Sequence, residues 1–164
     1  MEMKALVLND YPDNFYALAV ALRVKTIETR MREFKYRGDL VICCGGQSAS
    51  PFQGEALCVV RLTDVVPMEA HHQDKAWVPA LPGRMAYILK DWRWFSYRWS
   101  FASRRVSGAF QGIFTVEVPK DVSIVSYMPE WLANAHLTLN GKDYRYTPSG
   151  LVDIDARRPS SSLD

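Results

Sequence analysis

The chain has 164 residues, of which 48% are hydrophobic and 23% charged, with a formal net charge of +2. That length holds one domain with a real core, and the balance is that of an ordinary globular protein. The longest purely apolar run, Ala17 to Leu22, falls far short of a bilayer span, and no secretory segment is legible at the N-terminus, so no membrane partner is expected.

Lys4-Ala5-Leu6-Val7-Leu8 reads as a first strand. Asn9-Asp10-Tyr11-Pro12-Asp13 is turn chemistry that can start a helix, with Asp13 as its N-cap. Phe15, Leu18, Ala19 and Leu22 then recur at helical spacing and predict one apolar face of a helix over 13–23. Lys25 to Arg32 mixes β-branched with charged residues and reads as extended. After a turn at Lys35-Tyr36-Arg37-Gly38-Asp39, Leu40-Val41-Ile42-Cys43-Cys44 is a strand buried on both faces. Gly45-Gly46-Gln47-Ser48-Ala49-Ser50-Pro51 is a polar loop, and it lacks the Lys-Ser/Thr of a phosphate-binding loop. Further strands are predicted at Ala56 to Leu62, Met85 to Leu89 and Gly112 to Val118. Asp91 to Phe101 alternates aromatic with basic residues. Leu137 to Tyr146 is a hairpin candidate around Asn140-Gly141, and the polar end from Arg157 reads as disordered. The expected class is mainly β with some α: a closed or nearly closed barrel of short strands with one early helix, over residues 1–118. Residues 119–164 form an extension.

The three cysteines, Cys43, Cys44 and Cys58, are odd in number and lack a Cys-x-x-Cys spacing, which predicts free thiols in a reducing, cytoplasmic setting. Cys43 and Cys44 face opposite sides of a strand, and His71-His72 lacks zinc-like spacing, so no metal site is expected.

The net charge hides a division along the chain. Arg23 to Arg37 carries six basic and two acidic residues, and Arg84 to Arg105 six basic and one acidic. If the fold joins the two segments they form a basic face suited to a polyanion or a phosphate. The plain alternative is two solvated arginine-rich surfaces with no shared ligand.

Lys25-Thr26-Ile27-Glu28-Thr29-Arg30 after an amphipathic helix, followed by Lys35-Tyr36-Arg37-Gly38-Asp39-Leu40-Val41-Ile42, resembles the activating-signal-cointegrator homology (ASCH) domain, a member of the PUA-like barrel superfamily. Gly54 to Val60, Met85 to Lys90 and Val106 to Phe114 agree with it in order and spacing, over about residues 3–118. The resemblance implies a small β-barrel with a cleft beside the motif and a role in RNA or nucleic-acid binding. A few relatives look like hydrolases of modified nucleosides or RNA. One departure is local: the family usually has Gly two residues before the motif Lys, where this chain has Arg23, so a different backbone is expected at that turn.

Lys25 and Glu28 are the centre of the predicted site. On a strand, residues three apart face opposite ways, so they can share a pocket only if the segment bends or ends a helix. Paired, a lysine can hold a phosphate or activate a nucleophile, and a glutamate can accept from a base or act as general base. The two would be catalytic only in a hydrolase. The resemblance to amidohydrolase-like relatives places a Thr where this chain has Glu28, and Thr26 and Thr29 are expected to point elsewhere. Arg30, Lys35, Arg37, Arg93 and Arg98 are candidate phosphate contacts, and Tyr36 and Trp94 candidate base-stacking rings. The competing reading of Trp92-Arg93-Trp94-Phe95-Ser96-Tyr97-Arg98-Trp99 is a strand with one aromatic face in the core. Three functions stay open: a module binding RNA or single-stranded nucleic acid, or a nucleotide-like small molecule; a small hydrolase; and a protein-interaction domain. No cofactor is expected.

Overall fold

The computed structural model describes residues 1–11, 14–46, 50–139, 142–147 and 150–153. Its main sheet is built from β1 (Glu2–Leu8), β2 (Ile27–Arg30), β3 (Gly38–Cys44), β4 (Glu55–Pro67), β5 (Met85–Ser100), β6 (Arg105–Ser107), β7 (Phe114–Glu117) and β8 (Ile124–Val125). The order is β2-β5-β4-β3-β1-β7-β6, with β8 also on β5. β1 and β3 run parallel, and the connection between them carries α1 (Tyr16–Ala21) and β2. The class is α+β and mainly β, as expected. The predicted closure is corrected: the strand path is open and ends at β2 and β6.

Both faces of this sheet are nonetheless covered. One packs Leu6, Leu8, Leu40, Ile42, Leu57 and Val60 against α1. The other curls on itself, so that Phe95 and Trp99 of β5 join Ala5, Val41, Phe114 and Val116. Two-sided burial is what the continuous apolar run of β3 predicts, and Leu40 to Cys44 are fully buried. Two predicted segments, Met85 to Leu89 and Asp91 to Phe101, are one strand. It bends at Asp91, whose φ of 54° is left-handed, and its pairing with β4 shifts register three times. Such bulges re-aim side chains, and they break the period-two alternation that the aromatic residues suggested.

The chain after 118 returns to the same core. β8 pairs β5, and Leu132 of α2 (Glu130–Ala133) and Ala135 join the cluster under α1. β9 (His136–Leu139), β10 (Lys142–Thr147) and β11 (Gly150–Asp153) form a separate antiparallel sheet. Pairing of Leu139 with Lys142 bears out the predicted hairpin, while its Asn140-Gly141 turn and the tail from 154 lie outside the described residues. No described helix is long and apolar enough to cross a membrane.

α1 is shorter than the periodicity predicts, and Ala17 through Leu22 are buried on every side rather than on one face. A six-residue helix leaves most of its end groups without intrahelical partners. The predicted cap, Asp13, lies outside the described residues. The first amides are met instead by Asp10, whose Oδ1 accepts from Ala17 N at 2.8 Å and Leu18 N at 3.3 Å. At the other end the indole N–H groups of Trp92 and Trp94 donate to Val20 O at 2.6 Å and Ala21 O at 2.8 Å. The helix is therefore held by side chains from β1's end and from β5, more than by its own propensity.

The turn leaving α1 corrects the expectation at Arg23. Arg23 N donates to Val20 O at 3.0 Å and Val24 N to Ala19 O at 2.9 Å, the paired bonds of a Schellman motif. Arg23 occupies the left-handed position at φ 62°, so the backbone is the one glycine would take, with an arginine in it. Its guanidinium lies over the Trp92 ring at 5.8 Å, which offsets part of the strain. Arg23→Gly should raise stability by roughly 0.5–1 kcal/mol, the left-handed penalty less the lost ring contact and the added unfolded-state entropy. Urea titration would measure it, and a loss of stability would mean that the ring contact outweighs the strain.

Candidate functional site

The Schellman turn directs the chain out of α1 and into β2. Lys25 N donates to Ala19 O at 3.1 Å, so Lys25 is still tied to the helix end, while Ile27 already pairs with Ile88 in β2. The segment bends between them, and the two side chains that a straight strand would separate come together. Lys25 Nζ lies 3.1 Å from Glu28 Oε1 and also donates to Ile27 O. Its remaining side faces the Tyr16 ring, 5.7 Å away. Glu28 Oε1 also accepts from Thr29 N at 2.9 Å, and Oε2 lies 3.2 Å from Arg30 Nη2. Arg30 Nη2 donates to Val7 O at 2.6 Å, which ties β2 at one edge of the sheet to the end of β1.

Lys25 is 1% exposed and Glu28 8%. Burial, with a smaller push from the Arg30 charge, holds the Lys25 ammonium below its ordinary value of 10.5, against the attraction of Glu28. Burial alone would raise Glu28, but the Lys25 ammonium and the Arg30 guanidinium outweigh it and hold the carboxyl below its ordinary 4.5. Two cations on one carboxylate leave the trio with a net positive charge. Arg30 Nε is buried and has no hydrogen-bond partner among the described residues. A buried donor left unmade costs about 1–3 kcal/mol, so this arrangement favours an incoming acceptor.

These groups line a pocket of about 250 Å³, walled by Leu8, Asn9, Tyr11, Tyr16, Thr29 and Val78. The Tyr11 and Tyr16 rings meet edge to face at 6.0 Å. Thr29 was expected to point elsewhere and instead lines the pocket, because the bend before β2 changes which residues face it. Sequence reasoning missed Asn9, Tyr11, Tyr16 and Val78. The first two were legible only as turn chemistry, Tyr16 was off the helical stripe, and Val78 carries no signal.

The other predicted contacts are placed elsewhere. Arg93 forms a bidentate pair with Asp39, at 3.0 and 2.8 Å, and this bond holds the Asp39 carboxyl low. Asp39 is at the start of β3, level with the start of β1 in the parallel register, about 13 Å along the strand from Val7. Tyr36 donates to Asp39 O at 2.6 Å and lines a second cleft with Lys4 and Thr115. Arg37 is exposed and donates to Phe34 O and Tyr36 O, and Lys35 is exposed. Arg98 pairs with Glu55 at 3.2 Å over the Phe52 ring. Trp94 is 3% exposed, and its indole is committed to the helix end, so it is a core ring that anchors α1 and not a stacking platform. Thus Lys25, Glu28 and Arg30 converge, while Lys35, Tyr36, Arg37, Arg93, Trp94 and Arg98 do not line their pocket.

Cys43, Cys44 and Cys58 are buried, and burial pushes the Cys43 and Cys58 thiols up. No cluster suited to a metal ion occurs among the described residues. Comparison with protein-family models and with curated proteins finds no match to this chain.

Proposed function

We propose that the pocket at Lys25, Glu28 and Arg30 binds a nucleotide-like ligand, either free or as one unit of a single-stranded nucleic acid, with RNA preferred. The observation that carries this reading is a pocket that joins two tyrosine rings to a net positive charge, on the wall of which Arg30 has a buried Nε with no partner among the described residues. A guanidinium matches phosphate or carbonyl oxygens, and tyrosines offer flat faces and hydroxyls to a base. The volume, about 250 Å³, lies just below the usual range for ligand pockets, roughly 300–1,000 Å³, which suits one base better than a length of chain.

An ASCH-type domain, with a PUA-like sheet left open between β2 and β6, is part of the same proposal. It is supported by the ordered motifs and by Arg30 reaching from β2 to Val7 across the gap between β2 and β1. A cytoplasmic setting is supported by the odd number of cysteines and the absence of a Cys-x-x-Cys spacing. Binding is favoured over hydrolysis because both Glu28 oxygens are already engaged and its carboxyl is held low, which makes it a weak general base.

Fluorescence-anisotropy titration with short labelled RNA and single-stranded DNA, competed by 5′-mononucleotides, tests this. Arg30→Met should weaken binding about tenfold, as loss of a charge-assisted hydrogen bond does. Lys35→Ala, outside the pocket, should leave the affinity of a mononucleotide unchanged. No binding of any of these probes at low salt would overturn the proposal and favour the protein-interaction reading.

A further inference from the structure

A second groove, of about 570 Å³, opens directly beside the pocket and shares its Val7, Asn9 and Tyr11 wall. Gly45, Gly46 and Gly54 line it; Gly45 is covered by the Asn9 side chain, whereas a Cβ at Gly46 or Gly54 would meet nothing within 4 Å among the described residues. Its far side is aromatic. Phe110 packs edge to face on Phe114 at 4.9 Å and on Phe101 at 5.7 Å, yet stays 37% exposed while both of those are buried. The Arg105 guanidinium lies over the Phe110 ring at 5.5 Å, and Arg104 precedes it on an exposed turn. Gln111 adds an amide to the wall. Gly108 fixes the loop: its φ is +87°, and a Cβ there would meet Phe114 Cα at 2.9 Å.

We infer that this groove is a second nucleotide subsite, so that the ligand is an oligonucleotide of at least two units and not a free nucleotide. The inference rests on the proposed use of the first pocket. An exposed ring braced by two buried ones is a rigid stacking surface, and the Arg105 guanidinium, which lies over that ring and donates to Gly108 O, adds positive charge at the far side of the groove. At Gly46 and Gly54 a flat base can lie against backbone. Continuity through Asn9 and Tyr11 makes the two sites neighbours for consecutive units of one strand.

Isothermal titration calorimetry with the four 5′-mononucleotides and the four 5′-phosphorylated RNA homodinucleotides tests it. For the best base, the dinucleotide should bind roughly tenfold more tightly than the mononucleotide, within the range that one stacked base supplies. Phe110→Ala should erase that advantage and leave mononucleotide affinity at the wild-type value. Ala102→Glu places a carboxylate at the exposed mouth of the groove without disturbing the core, and should do the same if Phe110→Ala unfolds. Binding of a dinucleotide alone, lost in both variants, also supports the subsite. Equal affinities for the two ligand lengths, or a dinucleotide advantage that survives both variants, overturns it while leaving the first pocket standing. Failure of every nucleotide to bind overturns the pocket reading and this inference with it.

Discussion

Glu28→Gln should destabilise the protein by about 3–5 kcal/mol, because it leaves the Lys25 ammonium buried without its counter-charge. Lys25 has almost no contact with water: it is 1% exposed and held by Glu28, Ile27 O and the Tyr16 ring. Lys25→Met should cost much less. It removes the buried ammonium and keeps its apolar stem, while Glu28 retains Arg30 and Thr29 N. The two halves of one ion pair therefore have unequal effects. The pH dependence carries the sign. Glu28 titrates lower in the fold than its ordinary 4.5, so its contribution is complete above that value and is lost as pH falls through the folded value. In Glu28→Gln the deficit should shrink in alkaline solution, where the depressed Lys25 releases its proton. Urea unfolding of both variants from acid to alkaline pH measures this. Equal losses, or a Glu28→Gln deficit that does not change with pH, would show that Lys25 and Glu28 are not a closed, buried pair.

Asp10→Ala should cost about 2–3 kcal/mol, since it strips the amides of Ala17 and Leu18 of their acceptor inside the core. Asp10 is 1% exposed, and its Oδ2 also accepts from Cys44 Sγ at 3.5 Å. Asp10→Asn keeps an acceptor for the helix and should cost clearly less. Burial raises the Asp10 carboxyl above its ordinary 3.8, against the helix amides and the Ser50 hydroxyl that lower it. A raised acid favours the folded state below 3.8, and that advantage is lost as pH rises through the folded value. The asparagine variant has no such loss, so its deficit relative to wild type should narrow above that window. Because α1 ends in the turn that delivers Lys25, Asp10→Ala should also weaken ligand binding in proportion to the fraction unfolded. Thermal unfolding of the three proteins at pH 3 and pH 7 tests both statements.

Sequence patterns by themselves determined the mainly β class, the early helix and the longer strands of the main sheet, each from local chemistry, while the attention to Lys25–Arg30 came from the family resemblance. Leu40 to Cys44 is apolar throughout because β3 is covered on both faces, and β-branched and aromatic runs mark the other strands. Tertiary structure alone decided the membership of the site. A charge run states that arginines are near each other along the chain, and it does not state which acid each will meet. Asp39 and Glu55 claim Arg93 and Arg98 from other strands, a pairing set by sheet order and register. The bend at Asp91 breaks the alternation on which the aromatic reading depended, and turns Trp94 inward to the helix carbonyl it satisfies. Arg23 in a left-handed turn, which propensity disfavours, persists because the paired Schellman bonds and the Trp92 ring over-determine that conformation. Tyr11 and Tyr16 reach Lys25 only because α1 folds back over β1, a long-range event that no short stretch of sequence encodes.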